Sequence, residues 1–234
     1  MGRKGIRGIT RGWAGRFLLI LCLFLVALPV LLLLVFRFLP VPGTPEMVFS
    51  LLEGKGAHYA WSDSITPFLG DAVIGSEDQN FCRHHGFDWK SIDQAVAAHE
   101  RRPSRRLRGA STISQQTART LFLLPVRSWV RKGAEAYLTI LLEALWPKKR
   151  ILTAYLNLVD WGHGNFGAEA AARAYFHTDA AHLSRNQAAR LAAILPDPDK
   201  WSAARPGPYV SERSETLIGR AHDVSRDALN FCVK

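Results

Sequence analysis

Residues 128–147 read SWVRKGAEAYLTILLEALWP, and the apolar positions Ala134, Leu138, Leu141, Leu142 and Leu145 recur at intervals of three and four until Pro147. That spacing puts the apolar side chains on one face of a helix, Ser128 can cap its first turn, and a proline cannot continue it. The same period runs through the flanking sequence. Asp71 can cap a short helix through Glu77, and Asp88 another through Ile92, Ala95 and Val96. Thr112 and Gln115 have capping-box spacing ahead of a helix ending near Leu124 and Pro125. Helical patterns return at 150–159 and 168–176, and Ser184 with Gln187 boxes a helix that reaches Leu195 and Pro196. No stretch sustains the period-two alternation of a sheet, so the expected fold class is mainly α. The glycine-rich stretch 162–167, GHGNFG, reads as a turn, because it follows no strand and lacks the lysine of a phosphate-binding loop.

A different kind of segment lies upstream. Residues 17–36, FLLILCLFLVALPVLLLLVF, are apolar without interruption, and as a helix they extend about 30 Å, the thickness of a bilayer's hydrocarbon core. A cleaved signal peptide would have a shorter apolar core and a small-residue cleavage site, which Arg37-Phe38-Leu39-Pro40 does not offer. A retained single-pass transmembrane helix is therefore expected. Arg3, Lys4, Arg7, Arg11 and Arg16 precede it and only Arg37 closely follows, which places segment 1–16 in the cytoplasm. A membrane-proximal linker, 37–59, and a globular domain, 60–234, then lie outside the inner (plasma) membrane, in the periplasm.

The 234 residues leave room for one ordinary domain beside the anchor, and 48% hydrophobic with 21% charged residues is the composition of a folded chain. Six basic residues lie before position 43, so the net charge of +10 falls to about +4 over the rest. Much of the basicity thus belongs to membrane topology, and nucleic acid is not expected as a partner. Cys22, Cys82 and Cys232 lack the paired spacing of a zinc site and are too few for a disulfide scaffold. Cys82 and Cys232 are expected to stay unpaired.

Three clusters could carry chemistry. Glu77 and Asp78 form a carboxylate pair at a helix end, followed by His84; adjacent carboxylates repel, which suits one of them to hold or take a proton. The spacing describes an exposed acidic helix end equally well. His84 reads as a hydrogen-bonding core residue, since it has no helix-spaced ligand partner. The run Gly109-Ala-Ser111-Thr112-Ile-Ser-Gln115-Gln116 brings hydroxyls and amides to a helix N-terminus, where unpaired N–H groups suit an anion or a sugar, or only a cap. Arg131, Lys132 and Glu135 share one helix face, as a charge ladder or as a site. The arginines at 101, 102, 105, 106 and 108 form a basic loop that could meet anionic headgroups.

In order and spacing these clusters resemble the family-51 glycosyltransferases, the peptidoglycan polymerases. The blocks are E-D-x-x-F-x-x-H-x-G-F-D at 77–88, G-A-S-T-I-S-Q-Q at 109–116 and R-K-x-x-E at 131–135. They continue with I-L-x-x-Y-L-N, G-x-G-x-x-G-x-E-A-A-A and Y-F across 151–176, and A-A-R-L-A-A-I-L-P at 188–196. The resemblance covers roughly residues 60–210. It implies a lysozyme-like, mainly α domain with a membrane-embedded flank, acting on lipid II and the growing glycan strand. The short C-terminal remainder implies the monofunctional class. The resemblance also implies Glu77 as base and Glu135 as second essential carboxylate. Asp78, His84, Gly109, Ser111, Thr112, Gln115, Gln116, Arg119, Arg131 and Lys132 are then substrate-binding residues. No cofactor is required, although a divalent cation such as Mg or Mn assists some members; other cell-wall synthesis proteins are expected partners. Arg119, Thr120 and Thr153 stand where the family often has Lys, Asn and Glu. A lytic, lysozyme-like hydrolase and a catalytically silent scaffold are the rival readings.

Overall fold

The computed structural model describes residues 13, 15–21, 23–101, 111–126 and 128–234. The chain divides into two compact units, Met1–Leu39 and Pro40–Lys234. In the first, helix α1 (Gly15–Phe36) has a mean hydropathy of 3.4 and is long and apolar enough to cross a membrane. Pro29 has no N–H to give to the preceding turn, and the turn ahead of it, Leu23–Ala27, winds as a π-helix.

The second unit begins with α2 (Pro45–Leu52), capped by the Thr44 hydroxyl, within the segment read from sequence as a linker. A two-residue strand, β1 (His58–Tyr59), precedes α3 (Pro67–Glu77) and α4 (Trp89–Arg101). Next come α5 (Ile113–Phe122), α6 (Trp129–Leu145) and α7 (Lys148–Leu158). Strand β2 (Asn165–Phe166) leads into α8 (Ala168–Phe176), α9 (Arg185–Ile194) and α10 (Pro208–Arg226). The mainly α expectation holds. The start signals at Asp88, Thr112, Ser128 and Ser184 are all used, two of them as complete capping boxes.

Three expectations need correction. Asp71 does not open α3: Thr66 precedes it and Pro67 starts it, because a proline's fixed φ suits a first helical turn. Asp71 instead accepts a hydrogen bond from Asn230 at 2.6 Å. The glycine-rich turn holds a strand, since β2 pairs in parallel with β1, His58 opposite Asn165. Gly164 and Gly167 permit this, having positive φ where an added Cβ would lie 2.6 Å from the Lys55 carbonyl oxygen and 2.5 Å from that of Asn157. Finally, Cys82 and Cys232 are joined in a disulfide. They lie 150 residues apart in sequence, but the chain after α10 folds back and brings their Cα atoms to 5.4 Å, within bonding range.

Two packed groups form the core. Helix α3 is covered by α9 and α10, burying Leu69, Ala72, Val73 and Ile74 completely, while α5 packs between α6 and α7 through Ile113, Ala118, Leu142 and Ile151. Full burial of each large aliphatic side chain contributes about 1.5–3 kcal/mol, so the helices that end at the candidate site are held by their own cores.

Candidate active site

The apolar sequence of α3 buries it on nearly every side, and its last residue, Glu77, emerges half-buried as the backbone leaves helical geometry at Asp78. The two adjacent carboxylates then part. Asp78 turns inward, where both of its oxygens lie 3.0 Å from His84 Nε2 and Oδ2 also accepts the Ile113 backbone N–H at 3.0 Å. His84 packs edge-on against Phe81, which fits its reading as a hydrogen-bonding core residue. Glu77 turns outward: Oε1 accepts from the Ser76 hydroxyl at 3.1 Å and Oε2 from Gln116 Nε2 at 3.2 Å. A carboxylate at a helix C-terminus faces the negative end of the helix dipole, and these two donors supply the stabilisation that the backbone withholds.

Helix α5 enters from the other side. Thr112 and Gln115 are buried, and their polar groups close the capping box; the Thr112 hydroxyl also donates to the Gly86 carbonyl at 2.6 Å. Their polar atoms therefore set the direction of α5, leaving Ser111, Gln116 and Arg119 on its half-buried face. The Gln116 carbonyl accepts from Tyr155 at 3.3 Å. Burial first, and the negative charge of Glu77 second, push the Tyr155 phenol well above its ordinary value. Tyr155 therefore stays a donor at neutral pH, which fixes the Gln116 amide with its NH2 toward Glu77. The charge of Arg119 also acts on Tyr155. Gly109 lies outside the described residues, as do the arginines at 102, 105, 106 and 108.

The third cluster sits in the first turns of α6. Glu135 is 1% exposed and is paired with both Arg131, at 2.8 Å, and Lys132. One carboxylate thus holds two cationic heads and leaves a net charge of +1. Lys132 Nζ also reaches Ser111 Oγ at 3.4 Å, and the Ser111 carbonyl accepts from Gln116 at 3.5 Å. An unbroken line of contacts therefore runs from Glu77 through Gln116 and Ser111 to Lys132, Glu135 and Arg131. Beside it lies a mainly polar cavity of about 470 Å³ lined by Glu77, Ser111, Asn80, Lys90, Ser91 and Arg220, among others. Polar walls with charges of both signs suit a sugar or phosphate ligand.

The family model for Transglycosylase matches residues 46–222. The chain belongs to the transglycosylase family. Three curated proteins similar to it are named biosynthetic peptidoglycan transglycosylase. The one from Caulobacter vibrioides is 48% identical over 218 residues, covering 92% of this chain and 94% of the relative. That from Pseudomonas aeruginosa is 51% identical over 201 residues, 82% of this chain and 85% of the relative. That from Escherichia coli is 49% identical over 198 residues, 81% of each. The lysozyme-like, mainly α architecture follows from membership.

Within this transglycosylase frame four of the five sequence blocks meet at one candidate site. The first supplies Glu77 and the Asp78–His84 pair, the second Ser111 and Gln116, the third the Arg131–Lys132–Glu135 cluster, and the fourth Tyr155. At positions where the family often differs, Thr120 donates to Glu46 at 3.3 Å, and Thr153 donates to the Lys149 carbonyl at 2.9 Å on an exposed surface. Sequence reasoning missed Ser76, Lys90, Arg213 and Arg220. Ser76 adjoins the first block and could have been suspected as a donor to its neighbour, whereas nothing local marks the arginines of α10.

Proposed function

We propose that this transglycosylase, a peptidoglycan glycosyltransferase of cell-wall synthesis, polymerises lipid II into β-1,4-linked strands by a single inverting displacement. The 4-hydroxyl oxygen of the acceptor sugar bonds to the anomeric carbon of the donor, and the bond from that carbon to undecaprenyl pyrophosphate breaks. The hydroxyl proton passes to Glu77, and the bonding pair leaves with the diphosphate. A positioned base contributes about 10²- to 10⁴-fold to such a step. The diphosphate leaves as a stable anion without a proton, so what it needs is positive charge, supplied by Lys132 and Arg131 with Arg119 nearby. Glu135, buried beneath two cations, orients them and is not placed to exchange a proton with substrate.

The observation that carries this assignment is the contact line that joins Glu77 to Lys132 through Gln116 and Ser111. A carboxylate and a pair of cations lie at the two ends of this line, which supports reading the first as proton acceptor and the second as partner of the diphosphate. Both oxygens of Glu77 accept hydrogen bonds, an arrangement that favours the carboxylate base of a transferase over the carboxylic acid that a hydrolase needs for its departing sugar oxygen.

The anchor belongs to the same reading. With α1 spanning the inner membrane and its N-terminus cytoplasmic, the domain works at the periplasmic surface, where a lipid-linked donor is confined with it. Among the described residues no three His, Cys, Asp or Glu side chains gather as a metal site. Asp78 is already committed to His84 and Ile113, so these carboxylates do not form a protein-held site for a divalent ion such as Mg or Mn. Other cell-wall synthesis proteins remain expected partners.

Full-length protein in detergent, given purified lipid II, is expected to build glycan strands, and Glu77→Gln to abolish building while lipid II binding persists. Shortening of preformed glycan with no polymer would replace this reading with the hydrolase, and wild-type turnover in Glu77→Gln would remove Glu77 from its role.

A further inference from the structure

Helix α10 reaches the candidate base from behind. Its Arg213 and Arg220, seven residues apart and so on one helical face, both meet the last turn of α3: Arg220 Nη1 lies 3.4 Å from the Gly75 carbonyl, and Arg213 Nη2 lies 3.0 Å from Ser76 Oγ. Gly75 admits this approach, since a Cβ there would sit 3.1 Å from Arg220 Cβ. Guanidinium groups at a helix C-terminus complement its dipole, but Arg213 does more than that. It forms no ion pair among the described residues, and its buried Nε has no partner. Its one side-chain hydrogen-bond target among the described residues is the Ser76 hydroxyl, which in turn donates to Glu77 Oε1 at 3.1 Å.

The direction of this chain is set by chemistry. A guanidinium can only donate, so Ser76 must accept from Arg213, and its single proton is left for Glu77. A hydroxyl that accepts from a cation is a stronger donor to a carboxylate, because chained hydrogen bonds polarise one another. We infer that Arg213 is a positioning residue of the reaction, acting through Ser76 to hold the Glu77 carboxylate in its reactive orientation. The inference rests on the reading of Glu77 as base. It assigns a role in turnover to a helix, Pro208–Arg226, that lies outside all five sequence blocks.

The test compares Ser76→Ala, Arg213→Met, Arg213→Lys and the Ser76→Ala/Arg213→Met double variant in lipid II polymerisation, with Glu77→Gln as control. Ser76→Ala and Arg213→Met are each expected to lower kcat about tenfold, the scale of one charge-assisted hydrogen bond, with KM within about twofold of wild type. The double variant should be no slower than the slower single one, because both remove the same relay. Arg213→Lys keeps one cationic donor and should recover most of kcat, which a loss of packing alone would not do. Wild-type kcat in Ser76→Ala, or losses that multiply in the double variant, would overturn the inference. Because Ser76→Ala leaves α10 intact, its kcat decides the question even if Arg213→Met does not fold. Turnover in Glu77→Gln would instead sink the assignment of the base itself.

Discussion

The carboxylate of Asp78 accepts the backbone N–H of Ile113 at 3.0 Å, across 35 residues of sequence, and so pins the start of α5 to the end of α3. Because the same carboxylate also meets His84, one buried group aligns Glu77 with Ser111 and Gln116. Asp78→Ala strands the Ile113 N–H and the His84 ring, and loss of one member of such a buried set costs about 3 kcal/mol. For a domain of this size that corresponds to a fall of about 6–12 °C in the thermal midpoint. Turnover should fall with it, and an unchanged midpoint would show that Asp78 does not hold the two helices together.

Glu135→Gln separates charge from shape. Arg131 and Lys132 lose their shared anion and are free to swing out of the line that leads to Ser111. Loss of fixed cations that face a departing anion is expected to lower kcat by about 10²-fold. Measuring kcat and the thermal midpoint together checks it; a variant with normal turnover would show that the two cations orient themselves without Glu135.

The disulfide is tested by thiol counting on the unfolded chain, where reduction is expected to expose two additional thiols. Cys232→Ser opens a loop of 150 residues and should cost about 2–4 kcal/mol. Equal midpoints for this variant and wild type under oxidising conditions would contradict the bond's contribution.

Asp160 gives a pH dependence with a definite sign. Burial foremost, then repulsion from Asp199 and Glu46, pushes its carboxyl from 3.8 to about 6, against the hydrogen bond that it accepts from the Gly162 N–H at 2.7 Å. Below pH 3.8 the folded and unfolded chains both hold this proton, and between 3.8 and 6 the folded chain holds more of it. Above 6 the ionised group weighs against the fold by about 3 kcal/mol. Asp160→Asn keeps an acceptor for Gly162 and should therefore raise the thermal midpoint at pH 8, with the gain vanishing near pH 4. A gain of equal size at both pH values would point to packing instead of charge.

Local signals were the most legible part of this chain. The capping pairs Thr112–Gln115 and Ser184–Gln187, the cap at Ser128 and the apolar face of α6 depend on neighbours within a turn or two, and each formed where its spacing indicated. The candidate site was legible as blocks, but the division of labour inside them was not. Nothing in the dipeptide Glu77-Asp78 says which carboxylate turns inward, because that depends on where His84 and the Ile113 N–H arrive. Asp71 misled as a start signal because Pro67, four residues earlier, already met the needs of a first turn. The β1–β2 pair is too short to show alternation, and the Cys82–Cys232 bond and the Arg213–Ser76 contact depend on chain returns of well over a hundred residues.

Helix α10 covers α3, so the segment that ends in Glu77 waits for residues 208–226 to be made. A nascent polypeptide released from the ribosome short of position 208 would carry every one of the five blocks and still lack the lid over its first core helix. Premature termination there, or a bulky C-terminal fusion that disturbs Asn230 and Cys232, should give a product that proteases clear before it meets substrate.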